Sequence, residues 1–157
     1  MTTLVVQAHP LESSFNAALR QRVVDVLDAR RRPFECFRLA HGERPDSDDL
    51  AEATRLIIVY PTWSGGLPAV LLEWVHDVLD RPSALDQVVR LTAITTCGST
   101  KFINLVQGEW GRKYLKSTLL GHCHRTARFD WIPLYKIDRR TPEETAAHLD
   151  RLHRALA

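Results

Sequence analysis

The sequence has little or nothing of the features that mark several large classes of protein. It contains only three cysteines in 157 residues, too few and too scattered for the disulfide framework of a small secreted protein. No apolar run reaches transmembrane length, and no signal-peptide pattern is present at the N-terminus. We therefore expect a cytoplasmic protein with reduced thiols and no membrane span.

An excess of charge of one sign is also missing. The 21 basic and 19 acidic residues are interspersed and leave a net charge of +2, which provides no strong field toward nucleic acid. The one dense basic run, Arg30 to Arg32, is more typical of a solvated helix C-terminus than of a phosphate site, which is the alternative. We expect no nucleic-acid partner. The length and the 45% hydrophobic content suit a single domain, residues 1–157, with one sizeable core.

Strand and helix patterns alternate along the chain without internal repeats. Short apolar runs predict five strands, at residues 3–9, 33–40, 55–60, 88–96 and 128–137. Apolar residues at helical spacing lie between them, and one such stripe, over residues 102–114, predicts a single helix. Residues 141–144, TPEE, have the pattern of a capping box and predict the start of the last helix.

Two prolines indicate the order of the strands. Pro33 begins the second strand and Pro133 lies inside the fifth, and proline cannot donate to a central ladder, so both strands belong at sheet edges. Strands that alternate with helices form a parallel sheet covered on both faces. Of the two common doubly wound orders, 2-1-3-4-5 satisfies the proline condition. The sequence therefore predicts an α/β fold with a flavodoxin-like doubly wound five-stranded parallel sheet.

An unusual loop, HPLESS, follows the first strand at the expected ligand site. Ligands of such sheets bind beyond the carboxyl ends of the strands at the topological switch, here between strands 1 and 3. Ser13 and Ser14 supply hydroxyls beside the free amides at the start of the next helix. This combination predicts an anion site. Simple capping of the helix by one serine is the alternative.

Two more loops follow strands 3 and 4 and would lie beside HPLESS, beyond the carboxyl ends of the strands. In PTWSGG, Gly65 and Gly66 allow close backbone approach, and Trp63 offers an aromatic surface to a ring-shaped ligand. A tight turn with a core tryptophan is the alternative for this loop. In TTCGST, the backbone from Thr96 to Ser99 is an expected ligand contact, although ordinary turn chemistry explains much of its composition.

The segment GHCHR contains potential zinc ligands but does not predict a metal site. On a strand, His122 and His124 would face one side and Cys123 the other, so that one ion would not reach all three. We expect no metal.

Three segments carry a resemblance to a known family. AHPLESSFN, YPTWSGGLPAVLLEW and TTCGST resemble the flavin-contacting segments of the flavodoxin-like NAD(P)H:quinone oxidoreductases, in particular the short FMN-type members. The similarity runs nearly the whole length of the chain. The resemblance implies bound FMN, NAD(P)H as electron donor, and reduction of a quinone or related aromatic acceptor by ping-pong hydride transfer. It also implies a homodimer.

The resemblance further implies which residues contact the cofactor, and it assigns no catalytic residue. Those that would line the phosphate and ribityl chain are His9, Ser14, Phe15 and Asn16. Those that would border the isoalloxazine are Pro61, Thr62, Trp63 and Ser64. Those that would close its far edge are Thr96, Cys97, Gly98 and Ser99.

The chain departs from the family pattern at Ser64 and Gly65, where the family usually has aromatic residues. Loss of these stacking surfaces keeps a second class of function open. In that class the protein has lost flavin and serves as a binding or regulatory module or as a cofactor-free enzyme. The short connection between strands 2 and 3 offers few contacts to the adenosine half of FAD, so FMN is expected rather than FAD.

Overall fold

A five-stranded parallel sheet organises the chain in the computed structural model, which describes residues 2–63, 65–106 and 108–156. The strands are β1 Thr2–Gln7, β2 Phe34–Arg38, β3 Ala53–Thr62, β4 Arg90–Cys97 and β5 Arg128–Tyr135. Their order across the sheet is β2-β1-β3-β4-β5, and every pairing is parallel. The predicted order is confirmed, and the edge strands are β2, which Pro33 immediately precedes, and β5, which contains Pro133.

Helices connect the strands and cover both faces of the sheet. They are α1 Phe15–Ala29, α2 Ser47–Glu52, α3 Ala69–Leu79, α4 Lys101–Val106, α5 Trp110–Tyr114 and α6 Pro142–Leu156. The predicted capping box begins α6: the Glu144 amide donates to the Thr141 hydroxyl at 3.2 Å, and the Thr141 amide donates to the Glu144 carboxylate at 3.1 Å. Among the described residues, no helix is long and apolar enough to cross a membrane.

The hydrophobic core has two layers, one on each face of the sheet. On one face α3 buries Leu71 and Trp74 against the strands. On the other, Leu19 of α1 and Leu152 of α6 are fully buried against β1, β3 and β4. Because both faces are covered, the polar groups that line a ligand site must lie at the ends of the strands.

Strand β3 extends beyond its predicted end and includes Pro61, which had been expected in a loop. Val59 pairs with Gln7, and its carbonyl accepts from the Ala8 amide at 2.9 Å. The hydrogen bonds between β1 and β3 end at this point. In a parallel strand, residues two apart face the same neighbour. The nitrogen of Pro61 therefore points to the β1 side of β3, beyond the last residue of β1. No hydrogen bond of the sheet is lost there.

The prediction of a single helix over residues 102–114 is wrong. Gly108 and Glu109 take left-handed φ angles of 83° and 45°, and the Glu109 amide donates to the Asn104 carbonyl at 2.9 Å, which ends α4 before α5 begins. Phe102 is consequently 73% exposed and Val106 is 70% exposed. The apolar spacing did not indicate a buried stripe here.

The segment GHCHR is not a strand. Its first two residues end a short 3₁₀ turn, Leu120–His122, and the rest is loop. The alternating-face argument therefore does not apply to it. Within the described part of the chain, no group of three or more histidine, cysteine, aspartate or glutamate residues is placed to hold a metal ion.

Candidate functional site

The N-terminus of α1 lies at the carboxyl end of β1. The Ser14 side chain caps the helix, accepting from the Ala17 amide at 3.2 Å and donating to the Leu11 carbonyl at 2.7 Å. The capping alternative thus describes what this hydroxyl does. The amides of Phe15 and Asn16 belong to the first turn, where the helix has no intrahelical acceptor for them, so they give this end its anion-binding capacity.

The loop after β1 meets the loop after β3 through an aromatic contact. The rings of His9 and Trp63 are 5.7 Å apart in an edge-on arrangement, and Trp63 is 50% exposed. The Leu11 amide donates to His9 Nδ1 at 3.0 Å, which leaves Nε2 to carry the ring proton. Burial lowers the pKa of His9, so its ring is neutral at pH 7. The exposed half of Trp63 offers aromatic surface to a planar ligand.

Asn16 joins the loop after β1 to the end of β4. Its Nδ2 donates to the Thr96 hydroxyl at 2.9 Å, and the side chain is buried. Its Oδ1 is also buried and has no hydrogen-bond partner among the described residues. An unpaired buried amide oxygen costs free energy comparable to a lost hydrogen bond, so a donor arriving at this position would stabilise the site.

The loops after β1, β3 and β4 form the rim of the candidate site. Beneath this rim, two hydroxyl groups join the carboxyl ends of β3 and β4. Thr62 Oγ1 and Thr95 Oγ1 are 2.8 Å apart, and Thr62 pairs with Cys97 in the sheet register. Cys97 is buried, and burial raises the pKa of its thiol. The thiol is therefore protonated at neutral pH and is not activated as a nucleophile.

The loop after β4 is held by residues from two other segments. An added Cβ at Gly98 would lie 2.8 Å from the Asp138 carboxylate, so the loop after β4 approaches this side chain closely. Asn104 Nδ2 donates to the Ser99 hydroxyl at 2.7 Å, and the Lys136 amide donates to the Ser99 carbonyl at 3.1 Å. These contacts fix the loop as a rigid wall of the site.

Behind the turn that follows Trp63 lies a small cavity with a volume of about 10 Å³, room for the centre of a single water. Glu109 lines it and accepts from the Tyr135 hydroxyl at 3.1 Å. The Arg112 guanidinium lowers the pKa of Glu109, while burial and the neighbouring carboxylate raise the pKa of Tyr135 to about 12. The cavity is too small for a planar ligand, so such a ligand would have to lie outside it.

Among the described residues, the structure brings most of the predicted ones to the carboxyl ends of the strands but turns one side chain away. His9, Asn16, Trp63 and Thr96 converge through the contacts above. The Phe15 side chain instead packs against the core between α1 and the sheet, leaving only its backbone at the rim. Ser64 lies outside the described residues.

Sequence reasoning missed Asn104, Glu109 and Tyr135, which support the rim from elements that it did not associate with the site. The sequence offered one signal for them, the break at Gly108 that allows residues 104 and 109 to turn back toward the end of β4. The spacing of apolar residues obscured that signal.

The sequence model of the family described as Flavodoxin-like fold matches residues 1–155. The chain belongs to this family. A search among curated proteins finds no significant match.

Solved structures show the same flavodoxin-like fold. Smu.1420 from Streptococcus mutans UA159 is 21% identical with a TM-score of 0.83, and the match covers 99% of this chain and 98% of that chain. NAD(P)H:quinone oxidoreductase from Methanothermobacter marburgensis is 16% identical with a TM-score of 0.81, covering 99% and 95%. An FMN-dependent NADH-azoreductase from Bacillus anthracis str. Ames Ancestor, in complex with FMN, is 14% identical with a TM-score of 0.77, covering 99% and 97%.

Proposed function

We propose that this flavodoxin-like protein is a cytoplasmic, flavin-dependent oxidoreductase that binds FMN at the carboxyl edge of its sheet. In this proposal NAD(P)H donates hydride, and a quinone or related aromatic compound accepts it in a ping-pong sequence. The observation that carries the proposal is the convergence of three loops at the switch point, with a helix N-terminus beside an exposed indole. Two structurally similar proteins are named as a quinone oxidoreductase and as an FMN-dependent azoreductase, which supports the same class.

The residues present fit FMN in their chemistry. The free amides of Phe15 and Asn16 suit a phosphate, which carries negative charge and only accepts hydrogen bonds from them. The unpaired Asn16 Oδ1 suits a hydroxyl donor such as those of a ribityl chain. Trp63 suits the edge or face of an isoalloxazine ring. FMN is preferred to FAD because this set of groups serves a single phosphate.

The protein's own part in such a reaction is positioning. A bound flavin supplies the hydride chemistry, so the chain needs no paired acids or nucleophile. Thr62 and Thr95 hold the ends of β3 and β4 together, and the Asn104 contact fixes the wall formed by Ser99. His9 stays neutral and holds its loop through Leu11, which keeps the Trp63 ring beside the helix N-terminus.

A second candidate is a protein of the same fold that has lost flavin and acts as a binding or regulatory module or a cofactor-free enzyme. Gly65 favours it, because a position with φ of 78° does not readily accept the aromatic residue that the family pattern has there. An absorbance spectrum of the purified protein, followed by titration with FMN, decides between the two. FMN binding with turnover of NAD(P)H and a quinone supports the first, and failure to bind FMN supports the second.

The phosphate assignment is tested with Ser14→Asp. Aspartate caps a helix as well as serine does, so the fold is kept while a negative charge is placed beside the ligand's own. We expect FMN affinity to fall by about tenfold or more, which is ~1.4 kcal/mol or more. Riboflavin, which lacks the phosphate, should lose much less. Ser14→Asn is the matched control, since it keeps a cap without adding charge. Equal losses for FMN and riboflavin would contradict the assignment.

We also propose that two copies of the chain associate through the surface formed by Phe102, Leu105, Val106 and Trp110. These side chains are 73%, 61%, 70% and 44% exposed and lie on α4 and α5, which follow the carboxyl end of β4. A monomeric protein rarely leaves a cluster of large apolar side chains this exposed on neighbouring helices. The surface adjoins the proposed FMN site, so association would enclose that site from one side.

A further inference from the structure

A second concave surface lies at the opposite end of the sheet from the proposed FMN site. It has a volume of about 420 Å³, within the range of small-molecule sites. The residues that line it come from the amino-terminal ends of the strands and the turn after α1, and they are Thr3, Arg31, Arg32, Pro33, Thr54, Arg55, Val89 and Arg90. Four of these eight residues are arginines, and none is acidic.

Arg55 is the unusual member of this surface. Its residue is only 7% exposed, and its Nε and Nη2 atoms are buried without a hydrogen-bond partner among the described residues. A guanidinium carries five N–H donors and no acceptor, so another donor cannot satisfy it. Burial lowers the pKa of Arg55 to about 10, with Arg90 and Arg32 adding to the effect, and the group remains charged at pH 7. Buried donors of a charged group that lack an acceptor are costly, which points to an acceptor from outside the chain.

The nearest carboxylate is already engaged. Arg55 and Arg90 are direct partners across β3 and β4, and like charges in such positions repel. Asp130 accepts from Arg90 Nε at 2.6 Å, which balances Arg90. Arg31 and Arg32 add positive charge at the mouth of the surface. Asp130 also attracts Arg55, so one carboxylate is shared by two guanidinium groups and the surface keeps an excess of positive charge.

Two threonines, Thr3 and Thr54, and two apolar residues form the rest of the surface. Pro33 and Val89 lie on either side of Arg55, and Val89 is 46% exposed. The volume is larger than a bare phosphate ion requires. The combination suits a ligand with an anionic end and a compact apolar body.

We propose that this surface binds a small organic oxyanion, a phosphate monoester or a carboxylate attached to a compact apolar group. The oxyanion accepts hydrogen bonds from Arg55, for which the planar guanidinium fork is well suited. The apolar body lies against Pro33 and Val89. The proposal does not depend on flavin binding, because the two sites lie at opposite ends of the strands.

Calorimetric titration with phenyl phosphate, benzoate and phenol tests the proposal. We expect phenyl phosphate or benzoate to bind and phenol not to bind, and the stronger of the two anions identifies which oxyanion the site prefers. Arg55→Met, which removes the charge at similar length, should weaken the binding by about tenfold or more. Arg22→Met is the matched control, since Arg22 lies in the middle of α1, roughly 10 Å along the helix from its C-terminal end. It should leave the binding unchanged.

Three results would overturn the proposal. One is that neither anion binds below about 10 mM, a limit of roughly 3 kcal/mol in affinity. Another is that Arg22→Met weakens binding as much as Arg55→Met. The third is that Ser14→Asp, and not Arg55→Met, abolishes binding, which would place the anion at the α1 N-terminus. If Arg55→Met does not fold, Arg32→Met provides the same test from an exposed position, and unchanged binding in that variant would count against the site.

Discussion

At the scale of single residues, the buried bond from Asn16 to Thr96 joins segments that are 80 positions apart in the sequence. Thr96→Val removes the acceptor while keeping the shape, and leaves the Asn16 amide buried without that partner. We expect the free energy of unfolding to fall by about 1–3 kcal/mol, measured by urea denaturation without flavin.

The same strand offers a control for this substitution. Thr92 is also buried, but its hydroxyl has no hydrogen-bond partner among the described residues. Thr92→Val therefore removes an unpaired polar group, and we expect it to be neutral or stabilising. Equal destabilisation by both valines would show that the Asn16 contact contributes nothing beyond side-chain packing.

At the scale of elements, helix α6 contains a buried histidine that makes its docking depend on pH. His148 is 4% exposed, and burial lowers its pKa to about 4, with Arg151 and Arg140 adding repulsion. The folded-state pKa lies below the ordinary value of 6.5, so the unfolded chain binds more protons between these values. Stability is therefore fully present above pH 6.5 and falls as the pH drops toward 4, by at most about 3 kcal/mol.

Unfolding measured at several pH values tests this expectation. His148→Gln should reduce the pH dependence between 6.5 and 4, and the lowered pKa of His9 leaves a smaller dependence of the same sign. His153→Gln removes an exposed histidine from the same helix and should leave the dependence as it is in the parent protein. A parent protein whose stability is constant across this range would contradict the account.

At the scale of the whole molecule, the proposed homodimer is based on the exposed apolar surface of α4 and α5. Phe102→Glu places a charge at the centre of that surface, where the proposed partner copy would bury it at a cost. We expect sedimentation velocity to show a dimer for the parent protein and a monomer for the variant. A monomeric parent protein at micromolar concentration would refute the proposal.

The sequence predicted the topology of the whole molecule better than its local details. Two prolines at strand positions were enough to place the edges, because a missing N–H is tolerated only where a neighbour is absent. Pro61 lies inside a central strand, but β1 ends before it, so no neighbour needs its missing N–H. This depends on the relative lengths of the strands, which a single sequence does not reveal.

The sequence predicted the residues of the candidate site that directly follow a strand. It missed those in more distant segments that fold back toward the strand ends. The loops at His9 and Trp63 were found because the switch point identifies them. Glu109 reaches the rim only because a left-handed turn breaks the helix, and the apolar spacing concealed that turn. The burial of Arg55 depends on how three strand ends meet, which a strand pattern does not show.

The long separation between Asn16 and Thr96 also has a consequence for synthesis on the ribosome. The first strand and α1 emerge early, but the rim requires β4, whose last residue is Cys97. Until that stretch has left the exit tunnel, the polar groups of Asn16 remain in water and the proposed FMN site is incomplete. A ligand bound at the rim can therefore stabilise only a chain whose first hundred residues have folded together, and it offers no help to earlier nascent chains.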